Sequence, residues 1–139
     1  MKKLRYFYKS TAVFILLAAL TACNVTNTAD VSAVLDARNL AVNEKNIAAY
    51  ADIIVDDYNQ NSHTKDDVLM QIFNLFKHFQ AIQMQTHNRH INIIDDMHAL
   101  CEQSYTLKVM ADDEWRSMVQ QEQLQLTKQG NTWKISGGL

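Results

Sequence analysis

The chain has 139 residues, enough for one domain with a real hydrophobic core but not for two. Its 15 acidic residues outnumber its 13 basic ones, so the formal charge of −2 offers no excess of cations to a nucleic-acid backbone. It contains no proline, and its three glycines all lie in the last ten residues, so earlier turns must use Asn and Asp.

Residues 1–22 have the layout of an export signal. Lys2, Lys3, Arg5 and Lys9 precede an apolar run over residues 11–20. Ten helical residues rise about 15 Å, well short of the roughly 30 Å hydrocarbon core of a bilayer. A permanent membrane span is therefore disfavoured, and we expect this segment to be removed.

The apolar run ends at Leu20-Thr21-Ala22-Cys23, which resembles the lipobox of bacterial lipoproteins. The resemblance implies cleavage before Cys23, transfer of diacylglycerol to its sulfur and acylation of its new amino group. Two or more acyl chains anchor a protein stably on a bilayer. Asn24, in place of Asp, implies sorting to the outer membrane of the cell envelope, facing the periplasm. The alternative is an ordinary secretory signal in which Cys23 has no special role.

Cleavage before Cys23 would change the charge and the cysteine count of the chain. It would remove four basic residues and no acidic one, leaving 9 against 15 and a charge of −6. A domain this acidic is a poor nucleic-acid binder. Residues 23–29 would form the lipidated cysteine and a polar tether, whose last six residues reach roughly 20 Å when extended. Cys101 would then be unpaired, and its alternating surroundings predict a small buried core residue.

Residues 30–80 show helical spacing in three segments. Asp30 is a candidate N-cap for the first helix, and residues 47–58 form the second. The third begins at Thr64, which forms a capping-box pattern with Asp67. It carries an apolar stripe that predicts burial against a sheet, consisting of Leu69, Ile72, Phe73, Phe76 and Phe79.

After Gln80 the apolar period changes to two, which is typical of strands. The parity of the apolar positions changes between Met84 and Ile91, which predicts a bulge or bend near residues 88–90. Further alternating segments, separated by hairpin-sized loops, complete an antiparallel sheet. Helices first and strands after predict an α+β fold, with N-terminal helices packed on a bent antiparallel sheet.

This order of elements, with a closing segment over residues 114–139 that contains Trp133-Lys134-Ile135, resembles the nuclear transport factor 2-like superfamily, the cystatin-like cone. The resemblance covers roughly residues 30–139. It implies a pocket between the helices and the concave sheet face, and dimers formed through the outer sheet face. The superfamily includes ketosteroid isomerase and scytalone dehydratase, but a fold by itself carries little about activity.

Isomerase-like catalysis in this superfamily implies a carboxylate base with hydroxyl donors in apolar surroundings. Glu122 shares a strand face with apolar residues two and four positions later, so it is the candidate base. Tyr105 is the candidate hydroxyl donor. Tyr50 and Tyr58 come from the helical side and are candidate ligand contacts.

Simpler roles are open for each of these residues. Glu122 could be exposed or paired with Arg116 or Lys128, and the tyrosines could pack at the rim of the core. A deep apolar pocket containing Glu122 and Tyr105 would favour an enzyme, whereas a filled cone would favour a binding protein.

The sequence shows no metal or cofactor motif. His87 and His90 stand three apart on a strand, which places them on opposite faces unless a bulge intervenes. The five histidines match neither an HExxH motif nor a zinc-site spacing. Paired aspartates fall in predicted turns and helix starts, where they are locally favoured, at residues 56–57, 66–67, 95–96 and 112–113. We expect neither a metal nor a cofactor.

These observations predict a membrane-anchored envelope lipoprotein whose domain binds a small apolar ligand or an envelope protein. The alternative is a lyase or isomerase that transfers a proton on a small apolar carbonyl compound, with Glu122 as base. The missing catalytic signature favours binding over catalysis. A homodimer is a third expectation, and it follows from the superfamily resemblance.

Overall fold

A computed structural model describes the backbone from Ala18 and the side chains from Asn27 to Leu139. Most of the predicted signal segment, residues 1–17, lies outside the described residues, as does the side chain of Cys23. The helices are α1 (Ala18–Asn43), α2 (Ile47–Asp52) and α3 (Lys65–His78). The strands are β1 (Asn59–Gln60), β2 (His63–Thr64), β3 (Ala81–Ile93), β4 (His98–Ala111), β5 (Glu114–Gln129) and β6 (Thr132–Gly137).

Helix α1 is already helical at Ala18, twelve residues before the predicted start at Asp30. Asp30 therefore lies inside the helix and is not its N-cap, and residues 24–29 are helical where the sequence predicted an extended tether. No proline or glycine interrupts this part of the chain, so the helix can continue through the polar residues. Its buried side is formed by Val31, Leu35, Arg38, Ala41 and Val42.

Helix α2 is much shorter than the predicted 47–58 segment. Its end coincides with the β-branched run over residues 53–55, which favours extended backbone over helix. That run leaves the helix and bonds to β6: the Ile135 N–H donates to the Ile53 carbonyl at 2.8 Å, and the Val55 N–H donates to the Ile135 carbonyl at 3.1 Å. The helical side of the molecule is thereby tied to the last strand of the sheet.

Helix α3 begins as predicted, and its capping box is confirmed. Thr64 is the N-cap, its hydroxyl accepts from the Asp67 N–H, and the Asp67 carboxylate accepts from the Thr64 N–H at 2.8 Å. The predicted apolar stripe is only partly covered. Phe76 is buried, but Phe73 is 46% exposed, so its predicted burial against the sheet is wrong.

The predicted antiparallel sheet is confirmed, and its four strands lie in the order β3-β4-β5-β6. The pairing of β3 with β4 shifts between His87 and His90, and Asn88 has a φ of +53°, which confirms the predicted bulge. The β4–β5 hairpin closes over Asp112 and Asp113, both with positive φ, as a two-residue type I′ turn requires. The β5–β6 hairpin closes over Gly130 and Asn131.

Two groups of buried side chains make up the core between helices and sheet. One group joins α2 and α3 to the first half of β3 and includes Tyr50, Phe76 and Met84. The other joins α1 to the last three strands and includes Leu35 and Trp133. Cys101 belongs to the second group and is fully buried, as predicted.

The architecture is α+β, with N-terminal helices packed on a bent four-stranded antiparallel sheet. None of the helices, over the residues described, is both long and apolar enough to cross a membrane.

Candidate functional site

An ion pair occupies the interior between α1 and the sheet. Arg38 of α1 donates from its two terminal nitrogens to the Glu122 carboxylate of β5, at 2.6 and 3.1 Å. The two side chains are only 9% and 10% exposed. Alternation along β5 places Glu122 on the same face as the buried Leu124 and Leu126, so its inward orientation follows from the strand period.

Gln103 of β4 extends this pair into a network. Its side-chain amide donates to Glu122 Oε1 at 2.7 Å, and its own oxygen accepts from the Arg89 guanidinium at 3.0 Å. Arg89 in turn donates to the Asp36 carboxylate of α1 at 2.7 Å. Gln103 is 5% exposed, so this buried amide is satisfied on both ends, as buried polar groups must be.

The network keeps Arg38 charged. Burial alone would lower the pKa of Arg38, but the neighbouring Tyr50 oxygen and Glu122 carboxylate outweigh burial and hold that pKa above its ordinary value. Both Glu122 oxygens accept hydrogen bonds from Arg38, and one of them also accepts from Gln103, so neither oxygen is left without a donor.

Two of the three candidate tyrosines lie at the Arg38–Glu122 pair, and the third lies at the C-terminus. Tyr50 meets the network, because its oxygen accepts from Arg38 Nε at 3.4 Å. Tyr105 lies beside it, with the Arg38 guanidinium 5.9 Å from its ring centre and its hydroxyl donating to Gln120 at 2.7 Å. Tyr58 is elsewhere: its hydroxyl donates to the Leu139 carbonyl at 3.1 Å and accepts from the Leu139 N–H at 3.0 Å.

Tyr105 is a proton donor, not an anion, near neutral pH. Burial raises the pKa of its hydroxyl, and the Glu122 carboxylate raises it further. The site therefore holds one carboxylate, one guanidinium and two phenols, from four different elements.

The prediction that Glu122 is exposed or paired with Arg116 or Lys128 is wrong. Glu122 is inward, and its ionic partner is Arg38, 84 residues earlier in the chain. Arg116 is exposed on β5 and forms no ion pair with any residue that the structure describes. Lys128 instead lies over the Trp133 ring, 5.9 Å from its centre.

No group of metal-ligating side chains forms within the described part of the chain. The Asp95-Asp96 pair lies in the β3–β4 turn, where Asp95 accepts from the Met97 N–H at 2.8 Å and contacts His98 at 2.9 Å. Those local bonds lower the pKa of Asp95, the Met97 N–H contributing most.

Two open cavities flank the network. The first, of about 520 Å³, is lined by Gln103, Glu122 and six other polar residues: Asn88, His90, Glu102, Ser104, Gln121 and Gln123. Strand register places most of this lining on the sheet face opposite Glu122, and we call this cavity the outer-face groove. The second, of about 340 Å³, lies between α1 and β3 and includes Asn39 and Arg89. Neither matches the deep apolar pocket that an isomerase-like site would need.

Arg38, Gln103 and Arg89 were not among the residues predicted from the sequence. A signal for Arg38 exists, because it stands three residues after Leu35 and seven after Val31, on the apolar stripe of α1. Arg89 lies within the β3 bulge and bonds to Gln103 from there, and the sequence pattern does not specify which side chain a bulge redirects.

No family model and no curated protein matches this sequence. Solved structures match over most of the chain. A scytalone dehydratase candidate from Novosphingobium aromaticivorans aligns with a TM-score of 0.71 at 14% identity, over 84% of this chain and 83% of its own.

Two further solved structures align over a similar share of the chain. A candidate dehydratase of the nuclear transport factor 2-like family from Streptomyces avermitilis gives a TM-score of 0.69 at 11% identity, over 81% of this chain and 94% of its own. A hexachlorocyclohexane dehydrochlorinase, LinA type 2, gives 0.71 at 10% identity, over 84% of each chain. At sequence identities this low, the similarity shows a shared fold and nothing about function. The chain therefore has the nuclear transport factor 2-like fold.

Proposed function

We propose that this protein is a lipid-anchored lipoprotein of the bacterial cell envelope whose cone-shaped domain acts by binding. The proposal combines the lipobox-like segment that ends at Cys23 with the buried Arg38–Glu122 pair, and the pair is the observation that carries the choice of binding over catalysis.

A general base needs a carboxylate oxygen that can reach and accept a substrate proton. Both oxygens of Glu122 are instead bonded to Arg38, and one of them also accepts from Gln103. A substrate at this position would have to displace a bidentate guanidinium, which is among the strongest of side-chain hydrogen-bonding partners. Arg38 and Gln103 thus occupy the carboxylate that a catalytic base would have to offer to a substrate.

The outer-face groove is the best candidate binding surface. Its lining offers amide, hydroxyl, imidazole and carboxylate groups. Such a surface suits a polar small molecule or a polar protein surface better than an apolar ligand, because unpaired polar groups are costly to cover with apolar atoms.

Two measurements test this function. Intact-mass spectrometry of the full-length gene product, purified from the membranes of a bacterial host, should give residues 23–139 plus two or three acyl chains. The Cys23→Ala variant should lack both the cleavage and the added mass. An unmodified mature chain in the soluble fraction would contradict the anchor.

Binding is tested separately by thermal unfolding with a panel of envelope metabolites. A ligand of the native state raises the melting temperature by mass action. A saturable rise that is lost in the Gln121→Ala variant would support the groove, and the Asn131→Ala variant serves as a control outside it. Failure across a broad panel would contradict small-ligand binding.

The second candidate function is a lyase or isomerase. It is favoured by the inward positions of Glu122 and Tyr105 and by the names of the dehydratase-like structures of the same fold. It predicts that Glu122→Gln abolishes turnover of any carbonyl substrate found, whereas Glu44→Gln, at an exposed position outside both cavities, leaves turnover unchanged.

A further inference from the structure

The two edges of the sheet differ in how they are covered. At the β3 edge, the Asn43 side chain of α1 bonds to both backbone groups of Met84, accepting from its N–H at 2.5 Å and donating to its carbonyl at 3.2 Å. This is the bonding that another strand would supply, so α1 closes that edge. At the other side of the sheet, β6 pairs with β5 only from Gln125 onward. Among the described residues, no strand covers the preceding part of β5.

The turn geometry shows which backbone groups of β5 are unused. Ala111 and Glu114 flank a two-residue hairpin turn, so they form a hydrogen-bonded pair and both backbone groups of Glu114 point toward β4. The β4–β5 register continues without a shift, so every second residue of β5 does the same. The intervening residues point to the free edge. The β5–β6 hairpin gives the same assignment. Gln129 flanks its two-residue turn, so its backbone groups point toward β6, and Gln129 has the same parity as the edge-facing residues.

We call this set of residues the open edge: Trp115, Ser117, Val119 and Gln121. Gln123 has the same parity but is shielded, because Gly138 packs closely against its carbonyl oxygen. Trp115 and Val119 are 45% and 70% exposed, and their neighbour Met118 is 51% exposed. An exposed edge with large apolar side chains is a site for pairing with another strand.

Charge complementarity selects the partner. When two copies of the open edge pair antiparallel about a twofold axis through Val119, Ser117 lies opposite Gln121 and Arg116 lies opposite Glu122, once on each side of the axis. Moving the axis to Met118 would place Glu114 of one copy opposite Glu122 of the other, and these two like charges would repel each other. Arg116 has no ion-pair partner within the described chain, and Glu122 accepts three hydrogen bonds with a carboxylate that offers about four positions.

We propose that the open edge pairs with the open edge of a second copy of this chain, with Val119 on the twofold axis. The two four-stranded sheets then form one continuous sheet, and each Arg116 meets the Glu122 of the other copy. The contact is isologous and closed, so it stops at two copies. This arrangement differs from dimerisation through the outer sheet face, which the superfamily resemblance implied.

Disulfide trapping in the full-length protein distinguishes the two arrangements. A hydrogen-bonded antiparallel pair places its Cα atoms about 5.5 Å apart, within disulfide range. Val119→Cys should therefore give a covalent dimer on non-reducing gels of host membranes. Thr106→Cys is the matched control, because Thr106 lies directly opposite Val119 on β4 and faces the same side of the sheet. Edge pairing would separate the two Thr106 positions by about three strand spacings, roughly 14 Å, and no dimer should form.

Proline substitution provides an independent readout. Val119→Pro removes an edge-facing N–H without touching the β4–β5 bonds, so it should abolish the dimer in chemical crosslinking, whereas Val119→Ala should retain it. Circular dichroism checks that both variants are folded. Dimers from Thr106→Cys would overturn the proposal in favour of face packing. A monomeric wild-type protein, or a Val119→Cys disulfide to a different protein, would overturn it as well.

Discussion

Removing one partner of the buried Arg38–Glu122 pair should lower the stability of the protein strongly, whereas replacing both partners should not. Removing one partner of a buried pair leaves an uncompensated charge, which costs about 3–5 kcal/mol. Arg38→Met keeps the apolar stem and removes the guanidinium, with its two bonds to Glu122 and its contact with Tyr50. We expect a loss of about 3–5 kcal/mol in the free energy of unfolding, or roughly 10–20 °C in Tm for a domain of this size.

The assay is urea unfolding, followed by far-UV circular dichroism and by tryptophan fluorescence. The double variant Arg38→Met/Glu122→Leu should recover most of the loss, because replacing both charges by apolar groups removes the desolvation cost. Asp56→Asn is the surface control. Asp56 bonds to Lys65 at 2.7 Å but is 87% exposed, so its effect should be far smaller. A change below about 1 kcal/mol in Arg38→Met would refute a dry, buried ion pair.

Three further predictions follow from local geometry. The Asp67 carboxylate accepts from the Thr64 N–H, which lowers the pKa of Asp67 below the ordinary 3.8. The contribution of Asp67 to stability is therefore present above pH 3.8 and is lost as the pH falls through the lower pKa of the folded state. In acid denaturation curves, the stability gap between wild type and Asp67→Asn should close accordingly. Burial raises the pKa of Cys101 to about 11, so mass spectrometry should show very slow labelling by iodoacetamide at pH 8 until urea unfolds the chain. Gly138→Ala should destabilise by more than about 2 kcal/mol, because a Cβ at φ +95° would lie 2.1 Å from the Gln123 oxygen, whereas Gly130→Ala meets open space and should cost about 1 kcal/mol in urea titrations.

Each of these has a clear contrary outcome. A stability gap for Asp67→Asn that is constant from pH 7 to pH 2 would mean that the capping carboxylate is not linked to folding. Rapid alkylation of the native thiol would mean that the second core group opens readily. Equal effects of the two glycine substitutions would mean that the close approach at residue 138 relaxes without cost.

The sheet and α3 were predictable because their signals are local. Alternation over residues 81–135 specifies which strand positions face inward, and the change of parity before Ile91 places the bulge. The Thr64–Asp67 capping box depends on residues three apart. The end of α2 was not predictable from helical spacing, because the pairing of residues 53–55 with Ile135 decides it.

In the candidate site, too, local sequence signals predicted some features and long-range contacts decided the others. Strand period placed Glu122 and Tyr105 on the inner face. It could not identify Arg38 as the partner, because that contact joins residues 84 apart through the packing angle of α1 on the sheet. Arg116 and Lys128 are nearer in sequence, but Arg116 is exposed and Lys128 lies against Trp133.

The early start of α1 bears on how the domain would stand on a membrane. Six residues of helix between Cys23 and Asp30 rise about 9 Å, where the same residues extended would span roughly 20 Å. A helix also transmits orientation, and α1 is fixed to the sheet through Arg38 and Asn43. In the proposed anchored form, the domain would therefore stand closer to the lipidated residue than an extended tether allows, and any tilt of α1 against the bilayer would tilt the whole domain with it.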